Sequence, residues 1–286
     1  MTGPVGLAGL ASDRCLVMGV VNVTPDSFSD GGLFFEAGDA VAHGLQMLAD
    51  GADLLDVGGE STRPGAARVD VTEELRRVLP VVRDLAGAGA VVSVDTMRSQ
   101  VAEAAVAAGA WMVNDVSGGL ADPQMAALVA DTKVPYVAMH WRGHSADMDS
   151  RATYVDVVEE VRSELARRLD ALEAAGVDLA DVVVDPGLGF AKNADHNWAL
   201  LRNLDRLASL GCPVLLAASR KRFLGHLLAG PGHELPPAAE RDDASAAVSV
   251  LAAVAGAWCV RVHEVRASAH GVRVAARWTA DAGAGS

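Results

Sequence analysis

The chain has 286 residues, 51% of them hydrophobic, and a formal net charge of −13. That length and apolar content can bury a full core, which excludes a disordered chain and fits one large α/β domain or two small ones. The acidic balance, with no basic stripe able to neutralise several phosphates, excludes a nucleic-acid binder, so any anion it binds must be small.

Only 4% of the residues are aromatic, so the core is built from Ala, Val, Leu and Gly packed closely, which favours helices lying on parallel strands. Cys15, Cys212 and Cys259 are far apart, have apolar neighbours and show no metal-ligand spacing; they read as buried thiols of a reducing compartment. The opening MTGPVGLAGLAS lacks the basic start of a secretory signal, so the expected location is cytoplasmic. Residues 244–260 form an uncharged stretch approaching membrane-span length. Its serines, its alanines and the Asp-Asp just before it suit a capped, packed helix running into a strand.

In chain order, eight apolar runs have strand length: CLVMGVV, DLLDVG, AVVSVD, WMVND, VPYVAMH, DVVVD, PVLLAAS and AWCVRVH. Between most of them lie amphipathic stretches of helical period. One example is Val155, Val158, Val161, Leu165, Leu169 and Leu172, preceded by acids and followed by Gly176. The alternation predicts a (β/α)8 TIM barrel in one domain over 13–279, with a flexible N-terminal segment at 1–12 and a flexible tail at 280–286. A coiled coil is the rival for the helix, but an isolated stretch of under about four heptads is too short for it. An open doubly wound sheet would usually carry a glycine fingerprint after its first strand, where VVNVTPDSFSDGG stands instead.

Each run ends in a polar side chain: Asn22, Asp56, Asp95, Asn114 with Asp115, His140, Asp185, Ser219, and Arg261 with His263. Parallel strands of a barrel bring their carboxyl ends to one face, so these residues would ring one mouth. Any single Asp after a strand reads equally as a turn former or helix cap, and Asp56 and Asp115 suit that description. Asn22, His140, Lys221, Arg261 and His263 are poor caps or sit in apolar context, so it is their convergence that points to a site. HEVRASAH does not meet the HExxH spacing, since its second histidine comes seven residues on, and zinc-peptidase chemistry is rejected.

The segments NVTPDSFSDGG, LLDVGGESTRPGA, VSVDTMR, VNDVSGG, VVVDPGLGFAK and AASRKRFLG, in that order, resemble dihydropteroate synthase of the actinobacterial type. The resemblance covers nearly the whole chain. It implies a pterin-binding barrel, usually a homodimer, of a sulfonamide-target class of transferase in folate biosynthesis. Members join 6-hydroxymethyl-7,8-dihydropterin diphosphate to para-aminobenzoate and release diphosphate with Mg²⁺.

Those substrates require three sub-sites. An aminopyrimidinone edge offers adjacent N–H donors, which a buried carboxylate accepts in pairs, and Asp185 is the candidate. Asn114 can donate and accept beside it, and Lys221 can donate to the ring carbonyl. The resemblance places Asp95 against the ring, where it could stabilise positive charge if the C–O bond breaks before the amine attacks, an SN1-like path. Capping the helix that begins TMRSQVAEAA is the alternative for Asp95. Arg261 and His263 alternate on the last strand and so face one side, toward the diphosphate, and the family pattern assigns Asn22 to Mg²⁺.

Ser219, expected to open a helix, is the candidate for the benzoate carboxylate. Arg220 and Arg222 are expected to pair with acids on neighbouring loops, because three cations aimed into one small pocket repel. The resemblance puts Thr62, Arg63 and Pro64 from one loop and Phe190 from another around the benzoate ring. The loop TPDSFSDGG, with Asp30, has the composition of a lid that excludes water. No role is assigned to His140 or Trp141. Two other readings remain: a pterin-dependent methyltransferase of the same fold, disfavoured by the intact SRK and RxH pieces, and a non-catalytic pterin-binding paralogue.

Overall fold

All eight apolar runs are strands of one parallel sheet in the computed structural model, which describes residues 10, 13–24, 37–60, 69–143, 151–230 and 232–280. They are β1 (Leu16–Asn22), β2 (Leu54–Gly58), β3 (Val92–Asp95), β4 (Met112–Asp115), β5 (Tyr136–Met139), β6 (Val182–Asp185), β7 (Leu215–Leu216) and β8 (Cys259–Val262). The order β6-β5-β4-β3-β2-β1-β8-β7 closes through a single bridge, Val184 to Val214, so the sheet is a (β/α)8 barrel.

The helices are α1 (Ala37–Ala49), α2 (Val71–Gly87), α3 (Ser99–Ala107), α4 (Met125–Thr132), α5 (Val157–Ala174), α6 (Ala194–Arg202), α7 (Leu204–Ala208), α8 (Arg222–Ala229), α9 (Asp242–Val254) and α10 (Val265–Thr279). Local chemistry sets their ends. Asp70 caps α2 by accepting the Glu73 amide at 2.8 Å, and Asp156 caps α5 through the Val158 and Glu159 amides. Gly176, φ 93°, takes the left-handed turn after α5 that a β-carbon would disfavour.

Two apolar layers result. Leu16, Met18, Leu54, Met112, Val137, Val183, Leu215 and Cys259 fill the lower barrel, while the opposite faces of the same strands pack on the helices. Val158, Val161, Leu165, Leu169 and Leu172 are buried on α5 as the period predicts. Val155 is not. It lies outside the helix, fully exposed, because Asp156 ends the extended segment and the helical period starts only at Val157.

Residues 244–260 divide as expected between α9 and β8, and among the described residues no helix is long and apolar enough to cross a membrane. The three cysteines are buried and free. Leu10, inside the segment expected to be a tail, packs against the lower core, whereas residues 1–9 and 281–286 lie outside the described residues.

Candidate active site

Strand parity decides what the barrel mouth holds. Side chains two apart share a face, so the inward series runs Met18, Val20, Asn22 on β1; Met112, Asn114, Val116 from β4; Val183, Asp185 on β6; Leu215, Ala217, Ser219 from β7; and Cys259, Arg261, His263 from β8. Each series is apolar at the bottom and most turn polar at the carboxyl end. The upper members line a cavity of about 890 Å³, within the range of sites that enclose a small ligand.

Asn22, Asp95, Asn114, Asp185, Phe190, Ser219, Lys221, Arg261 and His263 all line that cavity. Lys221 faces inward, and Asp185 and Arg261 share the chamber. Asp30, Thr62, Arg63 and Pro64 lie outside the described residues.

Arg261 is the electrostatic hub. Its Nε donates to Asp56 Oδ2 at 2.6 Å and its second arm to Asp95 Oδ2 at 2.8 Å. Asn114 Nδ2 donates to the same Asp56 oxygen at 2.8 Å. Asp95 does not cap a helix: the Ser99 amide that opens α3 is bound by Asp122 at 2.7 Å. Burial pushes the Asp95 carboxyl up to about 7, against the opposing pull of Arg261 and with a further push from Asp56.

Asp185 sits 3% exposed and accepts the Gly187 amide at 2.7 Å. Burial raises its pKa while the Lys221 charge opposes that shift. The Lys221 ammonium donates to the Leu188 carbonyl and stands 4.9 Å from the centre of the Phe190 ring. Burial draws it down to about 8, with Asp185 resisting.

The remaining cations of the SRKR run divide. Arg220 holds Asp242 with two bonds, 2.7 and 2.8 Å, and adopts φ 61°, a structural role as expected. Arg222 differs from expectation. It is exposed on the first turn of α8, where water solvates its charge, and makes no ion pair among the described residues. The helix also begins at Arg222 rather than at Ser219, because the left-handed turn at Arg220 interrupts the chain. Ser219 Oγ instead accepts the His263 amide at 3.2 Å and lies 3.1 Å from His263 Nδ1, tying the ends of β7 and β8 together.

Two residues differ from expectation: Asp56, expected as a cap or turn former, and Lys192, to which no role is assigned above. Asp56, fully buried, is no cap but the shared acceptor of Arg261 and Asn114; its signal was Leu54 two positions earlier on the inward face. Lys192 is buried and lines the cavity, with burial bringing it down to about 7 and Asp185 opposing. Its signal was a lysine at the end of the already conspicuous VVVDPGLGFAK. Asp115, by contrast, fits the structural description. It faces the helix layer and accepts the Ser117 amide and hydroxyl, the Gly119 amide and the Tyr136 hydroxyl.

Residues 18–263 match the model of the family described as "Pterin binding enzyme". Over 263 residues the chain is 56% identical to dihydropteroate synthase of Mycobacterium leprae (strain TN), spanning 92% of this chain and 93% of that one. The chain belongs to the dihydropteroate synthase family. Every residue of the polar ring, from Asn22 to His263, lies inside the matched span. Among solved dihydropteroate synthases, that of Xanthomonas albilineans in complex with 7,8-dihydropteroate is 44% identical with a TM-score of 0.85, covering 97% of this chain and 99% of that one. A Yersinia pestis dihydropteroate synthase with a sulfonamide drug complex is 37% identical with a TM-score of 0.89, covering 97% and 98%.

Among the described residues no group of three or more His, Cys, Asp or Glu could hold a metal ion. The candidate ligand Asn22 offers a hard amide oxygen at the end of β1, on the cavity wall. That donor fits Mg²⁺ only as an ion shared with phosphate oxygens and water, which is a coordination this metal accepts.

Proposed function

We infer that this chain is a dihydropteroate synthase that condenses 6-hydroxymethyl-7,8-dihydropterin diphosphate with para-aminobenzoate to give 7,8-dihydropteroate and diphosphate. The observation that carries the reading is the joint presence of Asp185, Asn114, Asp95, Lys221 and Arg261 on one cavity wall, in a chain 44% identical to a relative that holds 7,8-dihydropteroate.

Asp185 accepts the paired N–H donors of the pterin ring, each charge-assisted bond contributing about 1.5–3 kcal/mol. Lys221 gives up the Leu188 carbonyl to donate to the ring carbonyl, and Asn114, oriented by Asp56, meets the adjoining edge. Asp95 lies beside the reacting methylene. In an SN1-like path the C–O bond breaks with its electron pair leaving on diphosphate, and a carboxylate next to the resulting pterin-methyl cation stabilises it. The amine lone pair then forms the C–N bond and the ammonium proton passes to solvent. Arg261 and His263 bind the diphosphate, and Mg²⁺ held by Asn22 would draw off the charge that develops there. Ser219 takes the benzoate carboxylate, with Phe190, Thr62, Arg63 and Pro64 around its ring, where a sulfonamide would compete. Asp30 belongs to the loop that keeps water from the cation.

Three further points complete the proposal. The enzyme is cytoplasmic, a reading supported by three free buried thiols. It acts on small molecules, without nucleic acid or membrane. It is a homodimer, a reading favoured by the exposed Leu227, Leu251, Val254, Val274 and Trp278 on its last three helices; light scattering of the purified chain tests that.

The deciding assay mixes the protein with pterin diphosphate, para-aminobenzoate and Mg²⁺ and follows diphosphate release with and without Lys221→Ala. Release that depends on Lys221 is expected. Pterin binding without release would identify a silent paralogue instead.

A further inference from the structure

Met139 lines the cavity, so the next residue, His140, points out of the barrel toward the helices. There its Nε2 lies 2.9 Å from Glu164 Oε2 on α5, and its Nδ1 lies 2.9 Å from Lys192 Nζ. The Glu164 carboxylate can only accept, so the ring hydrogen sits on Nε2 and donates to it, which leaves Nδ1 as the acceptor of a Lys192 N–H. Glu164 is held in turn by Arg142 at 2.5 and 3.1 Å. Lys192 also donates to the Phe190 carbonyl at 3.0 Å. A continuous polar chain therefore runs from α5 through the barrel wall to the backbone of Phe190.

The segment it reaches is under strain. Ala191, between Phe190 and Lys192, has φ 50°, a left-handed conformation that an L side chain adopts only when its neighbours enforce it. Gly187 passes so close to His140 that a β-carbon there would come within 2.3 Å of the His140 carbonyl oxygen. Two lysines thus hold the turn by carbonyls of its inner edge: Lys221 at Leu188 and Lys192 at Phe190. Of the two, Lys221 is assigned to the pterin carbonyl in the proposed complex, whereas Lys192 is assigned to no substrate atom, so Lys192 is the hold that binding leaves in place.

We infer that Lys192, anchored through His140 to Glu164, is a positioning residue that sets the Phe190 ring for para-aminobenzoate. The inference rests on the reading of Phe190 as an aminobenzoate contact. It gives the His140 loop a role that its sequence did not suggest.

The test uses the full chain with both substrates and Mg²⁺, and compares Lys192→Met, His140→Asn, His140→Leu and Phe190→Ala. Asn keeps an acceptor near the Nδ1 position, and Leu does not. Lys192→Met and His140→Leu should raise the aminobenzoate KM about tenfold while the pterin diphosphate KM moves less than about twofold, and His140→Asn should recover most of the loss. A parallel rise in both KM values, no rise in either, or equal defects in His140→Asn and His140→Leu would overturn the proposal. If Lys192→Met does not fold, the two His140 variants decide. Phe190→Ala separates the premise from the inference. An unchanged aminobenzoate KM there removes both, whereas a raised KM with Lys192→Met at the wild-type value removes the positioning role alone.

Discussion

Asp56 and Arg261 are 205 positions apart in the chain and 2.6 Å apart in the barrel. The same Asp56 oxygen takes Asn114 Nδ2, so one buried carboxylate orients both a candidate pterin contact and a candidate diphosphate contact. Asp56→Ala leaves a guanidinium and an amide buried without that acceptor. Breaking a buried charge pair by removing one partner typically costs about 3–5 kcal/mol. Urea denaturation should show a loss of that order for Asp56→Ala. Asp56→Asn, which keeps the shape and can keep the shared acceptor oxygen but removes the negative charge that faces Arg261, should fold and still lose about 100-fold in kcat/KM for the pterin substrate. Wild-type kinetics in Asp56→Asn would return Asp56 to the rank of a turn former.

Asp95 predicts a pH dependence of stability. Its folded pKa is raised from 3.8 to about 7, chiefly by burial. Folding therefore favours the neutral carboxyl, and that contribution is full below the unfolded value and fades as pH rises toward 7. Asp95→Asn lacks this titration. Relative to the wild type, the variant should gain stability steadily between about pH 4 and pH 7, reaching a few kcal/mol at the upper end. Turnover should meanwhile collapse at every pH. A stability difference flat with pH would show that Asp95 stays ionised in the folded protein throughout.

Lys221 titrates in the opposite sense for function. Burial brings its folded pKa down to about 8, so the ammonium that donates to the pterin carbonyl is lost just above neutral pH. The pterin diphosphate KM should be flat below about pH 8 and climb above it, approaching about tenfold for each further pH step of one once the amine is mostly neutral. In Lys221→Met the KM should be high and level across the same range. A climb that survives in the variant would assign the titration to another group.

The barrel and most of this site were legible because both depend on short periods. Eight apolar runs marked the strands, and alternation carried Asn22, Asn114, Asp185, Arg261 and His263 to one wall. What stayed hidden depends on distance in space. Asp56 and Asp95 each allow a capping reading from sequence, and only the closed barrel brings Arg261 between them. His140 ends an apolar run like the others but on the outward parity, so its partners Glu164 and Lys192 come from a helix and a loop that no local pattern ties to it. The late start of α8 was likewise unreadable, since the left-handed turn at Arg220 is enforced by Asp242 and by Arg241, whose side chain donates to the Arg220 carbonyl at 2.9 Å.

Parity makes a sharp prediction for the adjacent pair Asn114 and Asp115. They follow each other at the end of β4, both buried, yet one faces the cavity and the other the helices. Asn114→Ala removes a cavity donor and should raise the pterin KM at least about tenfold, with stability lowered by only about 1 kcal/mol, the worth of a single hydrogen bond. Asp115→Ala removes the acceptor of the Ser117 amide and hydroxyl, the Gly119 amide and the buried Tyr136 hydroxyl. Leaving several buried donors unsatisfied costs about 1–3 kcal/mol for each, so Asp115→Ala should lose several kcal/mol in denaturant, and whatever folds should keep a pterin KM near that of the wild type. The pair is read from one denaturation series and one set of steady-state rates. If the two effects come out exchanged, β4 is out of register by one residue and the proposed pterin wall is wrong.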